Sequence, residues 1–232
     1  MPRSSRIIIA DCPHHIIQRG HNKQTIFAAD QDYQYYLENL MEWKGIYGCK
    51  VYAYCLMTNH IHLVIDPGAE ARNISLVMKR VAGRQTRYVN ALEKRTGSLW
   101  EGRYKSSPIS TDEYLLACCR YVELNPIRAG IVSDPSEYKW SSYCDRIGLH
   151  REHWLDEDPC YAGLAKSRKK REELYAAWVK DSIPKGEWEL IRKSLQRGQL
   201  TGSNRFIDEI ETKINHRIEF RGQGRPKKNN KK

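Results

Sequence analysis

The sequence predicts an α+β fold, because strand-like and helix-like segments alternate up to about Asp145. Runs rich in aromatic and β-branched residues have the length of strands. Longer segments repeat apolar residues at helical spacing, and Gly, Pro, Asn and Asp separate the two kinds of segment. Beyond Asp145 the pattern is helical and basic, so a helical extension is expected to follow the α+β domain.

Four segments have the pattern of strands. The first covers residues 14–18 and is closed by Arg19-Gly20. Residues 50–57 and 60–65 form two further strands with Thr58-Asn59 between them, and a fourth strand is expected at 106–109. Gly and Pro near the ends of these runs mark the turns.

Helical periodicity predicts three helices among these strands. They cover 30–47, 73–94, and a stretch from Thr111 to near Asn125-Pro126. Five residues of the second helix are expected to face inward: Ile74, Val77, Val81, Tyr88 and Leu92. Thr111 is expected to be the N-cap of the third helix, followed by Asp112 and Glu113, whose charges suit the helix dipole.

The extension, residues 146–220, is expected to contain helices at 172–178, 187–195 and 205–214. The last stretch, 221–232, carries six basic residues and no acid, and such a composition predicts disorder in the free protein. The predicted organisation is therefore a domain at 1–145, the extension, and a basic tail.

The composition favours a polyanionic partner. Lys and Arg number 39 against 28 Asp and Glu, which gives a formal net charge of +11 and a pI near 9.3. Seven cysteines without a C-x-x-C pair argue against a disulfide framework and a zinc knuckle. Because no signal peptide or membrane-spanning run is evident, a cytoplasmic protein without a membrane partner is expected.

Two short patterns can carry chemistry. His60 and His62 lie two apart on a predicted strand, so both imidazoles project from one face and can bind a metal or simply form hydrogen bonds. Tyr121 and Asn125 lie four apart on a helix and share a face. A tyrosine is a nucleophile only with help from its surroundings, and Tyr121 can equally be a core aromatic residue.

Three segments together resemble the REP-associated tyrosine transposases, which belong to the HUH superfamily of single-tyrosine transposases and nucleases. They are residues 53–63 (AYCLMTNHIHL), 99–105 (LWEGRYK) and 120–130 (RYVELNPIRAG). The resemblance extends in order from about Pro2 to Tyr143. It implies a ferredoxin-like antiparallel sheet packed by helices, the HUH nuclease fold.

The resemblance also implies a reaction. Tyr121 would attack a DNA phosphate and form a 5′-phosphotyrosine link, while His60, His62 and Asn125 would hold Mg²⁺ or Mn²⁺. The implied substrate is single-stranded DNA beside a palindromic, REP-like hairpin. Tyr104 is the rival nucleophile. Two rival functions are a hairpin-DNA-binding protein without turnover and a metal-dependent phosphodiesterase that uses activated water.

Several residues are candidates for DNA contact. Arg80, Arg84 and Arg87 form a cationic stripe on the second helix that can follow phosphates or be an ordinary solvated face. Trp100 and Tyr104 can stack on unpaired bases or pack in the core, and Arg103 and Lys105 flank Tyr104. The tail contains Gly-Arg-Pro around Arg225, similar to an AT-hook. A monomer or a homodimer is expected.

Overall fold

The computed structural model describes residues 6–150, 154–181, 183–215 and 218, without the side chains of residues 112 and 113. In these parts of the chain, four strands form one antiparallel sheet in the order β2-β3-β1-β4. Their bounds are β1 His14–Arg19, β2 Lys50–Met57, β3 His60–Asp66 and β4 Lys105–Pro108. All four lie within a residue or two of the predicted segments.

The helices of the first part are α1 Asp30–Tyr47, α2 Arg72–Leu92, α3 Thr111–Glu123, α4 Asn125–Arg128 and α5 Tyr143–Arg146. Those of the extension are α6 Pro159–Gly163, α7 Arg168–Lys180, α8 Glu187–Arg197 and α9 Asn204–Ile214. Two β-α-β units with β1 and β3 at the centre of the sheet make a ferredoxin-like α+β fold, which confirms the predicted fold class.

Side-chain alternation gives the sheet two different faces. Ile61, Leu63 and Ile65 on β3 are fully buried and belong to the main core that the paired helices α1 and α2 complete. His60 and His62 alternate with them and project to the other face, where α3 packs on β2 and β3. The fold therefore places the histidine pair under the helix that carries Tyr121.

The extension packs on α3 through buried charges. On one side, Arg120 donates to Glu187 of α8 over 2.7 Å, and its guanidinium lies 3.9 Å from the centre of the Trp178 ring. On the other side, Glu123 pairs with Arg146 over 3.1 Å and accepts a hydrogen bond of 2.7 Å from Tyr175. Helix α3 is thus fixed by the extension immediately before and after Tyr121.

Two local predictions were wrong. Thr111 is the first residue of α3, and Ser110 stands at the N-cap position, without a side-chain cap bond. Leu92 is 61% exposed, because α2 ends there, one turn beyond Val89, its last buried residue. In the described part of the chain, no helix is both long and apolar enough to cross a membrane.

Candidate catalytic cavity

A cavity of about 580 Å³ opens between the ends of β1 and β3, the α3–α4 junction and α8. The predicted nucleophile and the three predicted metal ligands line it together: His60, His62, Tyr121 and Asn125. The structure thus brings the strand-borne histidines and the helix-borne tyrosine and amide to one place, which is the arrangement that the resemblance implies.

The two histidines are held as neutral imidazoles. Their ring centres lie 5.2 Å apart. Burial, and then the charge of Arg19, lowers the pKa of His60 to about 4. Burial, the neighbouring histidines and Arg128 lower the pKa of His62 well below its ordinary value. A neutral ring keeps the lone pair that a metal ligand needs.

Tyr121 lies over the histidines from α3. Its ring centre is 6.1 Å from that of His62 and 5.4 Å from that of His15. The Arg128 guanidinium lies 4.3 Å from the centre of the Tyr121 ring and 4.8 Å from that of Trp188. Tyr121 is only 3% exposed, but it lines the cavity, so the cavity connects it to solvent.

Asn125 begins α4, directly after the break between α3 and α4 at Leu124. Its side-chain nitrogen donates to the carbonyl oxygens of Tyr121, over 2.9 Å, and Val122, over 3.1 Å. These bonds turn the amide oxygen away from α3. That oxygen is 3.5 Å from an Arg128 guanidinium nitrogen.

Two imidazole nitrogens and one amide oxygen can bind a divalent cation that completes its shell with water and phosphate oxygens. Within the described residues, no group of three His, Cys, Asp or Glu side chains can hold a metal. The available donor set is two neutral imidazoles and the amide oxygen of Asn125. Mg²⁺ keeps several waters and takes ligands from substrate phosphates, so a small protein donor set is compatible with it.

Basic side chains dominate the rest of the cavity wall. Five of them line it: Arg19, Arg103, Lys105, Arg128 and Arg192. Glu101 is the single acidic residue among the described residues of the wall. Such a concentration of positive charge attracts phosphate groups and steers a polyanion towards Tyr121. Arg103 and Lys105 are therefore where a DNA-contacting residue would be expected.

The other predicted DNA contacts lie elsewhere. Trp100 is 6% exposed, and its ring nitrogen donates to the Ala82 carbonyl over 3.0 Å. Tyr104 is equally buried, with its hydroxyl 2.8 Å from Ser75 Oγ. Both rings belong to the buried core of this structure, and their contact with DNA stays a prediction.

The arginine stripe on α2 does not reach the cavity. Arg84 forms an ion pair with Glu42 and donates to Asn39 over 2.8 Å. Arg80 lies 5.0 Å from the centre of the Trp43 ring. Arg87 is exposed on the same helix. The stripe faces α1, so its contact with DNA stays a prediction, as does that of Arg225, which lies outside the described residues.

Sequence reasoning missed several residues of the cavity. Arg128 lies seven residues after Tyr121 and three after Asn125, a helical spacing that could have identified it. His15 and Arg19 lie on β1, and only the register of β1 with β3 brings them to the histidine pair. Arg192 comes from α8, and no local pattern indicates that the extension closes the cavity.

The structure is thus an antiparallel ferredoxin-like domain in which two strand histidines and a helix tyrosine line one basic cavity. The family model of IS200-like transposases matches residues 8–125, just over half of the chain. The chain therefore belongs to the IS200-like transposase family. It is an enzyme that cleaves and rejoins DNA, with a role in DNA transposition.

The solved structures that are similar to the chain include two transposases. One is a REP-associated tyrosine transposase bound to a REP hairpin, with a TM-score of 0.56 and 17% sequence identity over 68% of this chain and 93% of that one. It shares the fold. The other is a candidate transposase from Deinococcus radiodurans R1, with a TM-score of 0.37 and 15% identity over 57% of this chain and 100% of that one. No curated protein matches the chain significantly.

Proposed function

We propose that this enzyme nicks and rejoins single-stranded DNA beside palindromic hairpins, with Tyr121 as the nucleophile. The observation that carries the proposal is the shared basic cavity of Tyr121, His60, His62 and Asn125. A binding protein without turnover has no use for a tyrosine buried against paired neutral histidines.

In the proposed reaction, the phenol oxygen of Tyr121 forms a bond to the DNA phosphorus. The bond from that phosphorus to the 3′ oxygen breaks, and this oxygen leaves as a 3′-hydroxyl with the proton released by the phenol. One phosphodiester replaces another, so the bond energy is kept in the 5′-phosphotyrosine. Attack by a 3′-hydroxyl then reverses the step and joins a strand.

His60, His62 and Asn125 would hold Mg²⁺ or Mn²⁺, which supplies charge stabilisation to the phosphate oxygens when bound. The protein's own cations act on the same group. Arg128 lies against the Tyr121 ring, where its planar guanidinium can pair with two oxygens of the scissile phosphate. It would orient the phosphorus towards the phenol.

A hairpin substrate is supported by the similar solved structure, which holds a REP hairpin. The single strand beside the hairpin would enter the cavity along Arg19, Arg103 and Lys105, opposite Arg192 of the extension. We also propose that the extension, residues 146–220, acts as part of the catalytic unit, because α8 forms one wall of the cavity.

The covalent intermediate tests the proposal. Tyr121→Phe is expected to abolish the protein–DNA adduct on a single-stranded substrate with a hairpin, because it removes the attacking oxygen. Tyr104→Phe is the matched control: it also removes one buried tyrosine hydroxyl, which bonds Ser75 outside the cavity, and it is expected to keep adduct formation. The measurement is a denaturing gel of labelled DNA.

An adduct that persists in Tyr121→Phe and disappears in Tyr104→Phe would contradict the assignment. Cleavage without any adduct in the unmodified protein would instead favour activated water as the nucleophile. Binding without cleavage, in the presence of Mg²⁺ or Mn²⁺, would favour the hairpin-binding alternative.

A further inference from the structure

Each imidazole in the cavity has two nitrogens, and a hydrogen bond at one decides what the other can do. A neutral ring carries one proton, so a ring that donates through Nδ1 has a free lone pair on Nε2. A ring that instead accepts at Nδ1 carries its proton on Nε2 and cannot bind a metal through that atom. The partners of the two Nδ1 atoms therefore matter.

Asn59 is the partner of His60. Its side-chain oxygen lies 2.7 Å from His60 Nδ1, while its side-chain nitrogen donates to the Lys23 carbonyl over 3.2 Å. The second bond fixes which end of the amide faces the histidine. Because an amide oxygen only accepts, His60 must carry its proton on Nδ1, and its Nε2 keeps the lone pair.

His15 is the partner of His62. Its Nε2 lies 2.9 Å from His62 Nδ1, and His15 itself is completely buried on β1. The bond has two possible directions, and metal binding through His62 Nε2 requires the one in which His62 donates. His15 then carries its own proton on Nδ1, a buried atom with no hydrogen-bond partner in the described structure.

We propose that Asn59 and His15 are positioning residues that hold both histidines as Nδ1–H tautomers and so direct both Nε2 lone pairs to one cation. This inference rests on the metal site proposed above and assigns residues outside its ligand set. Because His15 Nδ1 has no partner, one buried ring nitrogen lacks a hydrogen bond in either direction of the His15–His62 bond, and the protein alone favours neither direction. Metal binding selects one of them.

Metal affinity tests the role of His15 without any DNA chemistry. Mn²⁺ is titrated into the full-length, DNA-free protein, and the free ion is followed by electron paramagnetic resonance. His15→Phe keeps a ring of similar size but removes the acceptor, and the expected loss of affinity is about 10- to 100-fold. His14→Phe is the matched control, since His14 is equally buried and bonds Ile9 and Cys12 instead. It is expected to keep the wild-type affinity.

Asn59 allows a rescue experiment. Asn59→Ala removes the acceptor and is expected to weaken Mn²⁺ binding, whereas Asn59→Asp keeps an oxygen at that position and is expected to restore most of it. A merely structural role of Asn59 predicts no such difference. Equal affinity in the wild type, His15→Phe and Asn59→Ala would overturn the proposal, and so would a wild-type protein that binds no Mn²⁺.

A measurement on the unmodified protein keeps the test independent of folding defects. Two-bond ¹H–¹⁵N spectra of the Mg²⁺-loaded protein report the tautomer of each ring. Nδ1–H forms of His60 and His62 are expected, and an Nε2–H form of either would overturn the proposal. Neither the Mn²⁺ titration nor the tautomer spectra involve Tyr121. Absence of the covalent adduct would therefore contradict the proposed function, whereas the wrong tautomers would contradict only the roles of Asn59 and His15.

Discussion

Pro126 has no amide hydrogen, so a backbone hydrogen bond is missing next to Tyr121, and the side chain of Asn125 replaces it. In a continuous helix, the amide of residue 126 would donate to the carbonyl of Val122. Here the side chain of Asn125 donates to that carbonyl over 3.1 Å. The same bond turns the Asn125 oxygen away from α3. A proline that ends a helix thus also orients the amide of a proposed ligand.

Arg128 is the cation with the most direct access to Tyr121. Its guanidinium lies 4.3 and 4.8 Å from the centres of the Tyr121 and Trp188 rings, which stand at 88° to each other. Contact with two aromatic rings restricts the arginine side chain before the substrate arrives. It is therefore pre-organised to meet the charge that develops on a phosphate at the phenol.

Substitution of Arg128 is expected to slow the chemical step more than it weakens DNA binding. Arg128→Gln should lower the single-turnover rate of adduct formation by about 100-fold, the typical cost of removing one pre-organised charge-stabilising donor. Arg128→Lys should keep part of the rate, because the charge remains and the planar contact is lost. Arg205→Gln, on exposed α9, serves as the control. A normal rate in Arg128→Gln would place the phosphate elsewhere.

Local sequence patterns predict the bounds of an element where the residues at both of its ends strongly favour starting or ending it. Helix α1 was predicted at 30–47 and is observed there, because acidic residues occupy its first turn and Gly48 ends it with a φ of 65°. The start of α3 could not be predicted in this way. Ser110 and Thr111 are both residue types that favour the N-cap position. Ser110 occupies it because its amide donates to the Thr201 carbonyl over 2.8 Å, and Thr201 belongs to the extension.

Besides Arg120, a second buried arginine connects α3 to the extension. Arg146 is 4% exposed and pairs with Glu123 over 3.1 Å and with Asp158 over 2.5 Å. Burial raises the pKa of Glu123, and the nearby Arg146 charge opposes that rise. Neither carboxylate is exposed, so both depend on this guanidinium for compensation of their charge.

Arg146→Met is therefore expected to destabilise the protein by about 3–5 kcal/mol, the usual cost of leaving a buried charge unpaired. The measurement is urea unfolding followed by circular dichroism. Arg205→Met is the matched control, because Arg205 pairs with Glu209 on the surface, where it is 88% exposed, and such pairs contribute little. If both variants unfold at the same urea concentration, the buried pairs do not hold the extension to α3.

At the scale of the whole molecule, spacing along the chain identified pairs of site residues, and the family resemblance implied their roles. Strand spacing puts His60 and His62 on one face, and helical spacing puts Tyr121 and Asn125 one turn apart, although α3 ends between them. His15 joins them through the pairing of β1 with β3. Arg192 and Trp188 join through the docking of α8. These are long-range contacts, for which a single sequence contains no periodic signal.

Deletion of the basic tail tests whether its charge contributes to DNA binding separately from the cleavage chemistry at Tyr121. Removal of residues 221–232 lowers the formal net charge from +11 to +5 and leaves in place every cavity residue that the structure describes. Each phosphate contact with single-stranded DNA contributes about 0.7 to the slope of log affinity against log salt. If all six basic residues of the tail bind phosphates, its deletion should reduce that slope by about four and weaken binding at low salt.

Fluorescence anisotropy at several salt concentrations measures both effects, and the denaturing gel shows whether the adduct still forms at saturating protein. Adduct formation is expected to persist, because Tyr121 and its surroundings are unchanged. A variant with the six basic residues replaced by Gln separates charge from length, and it should behave like the deletion. If affinity and slope are the same with and without the tail, the tail has no part in DNA binding.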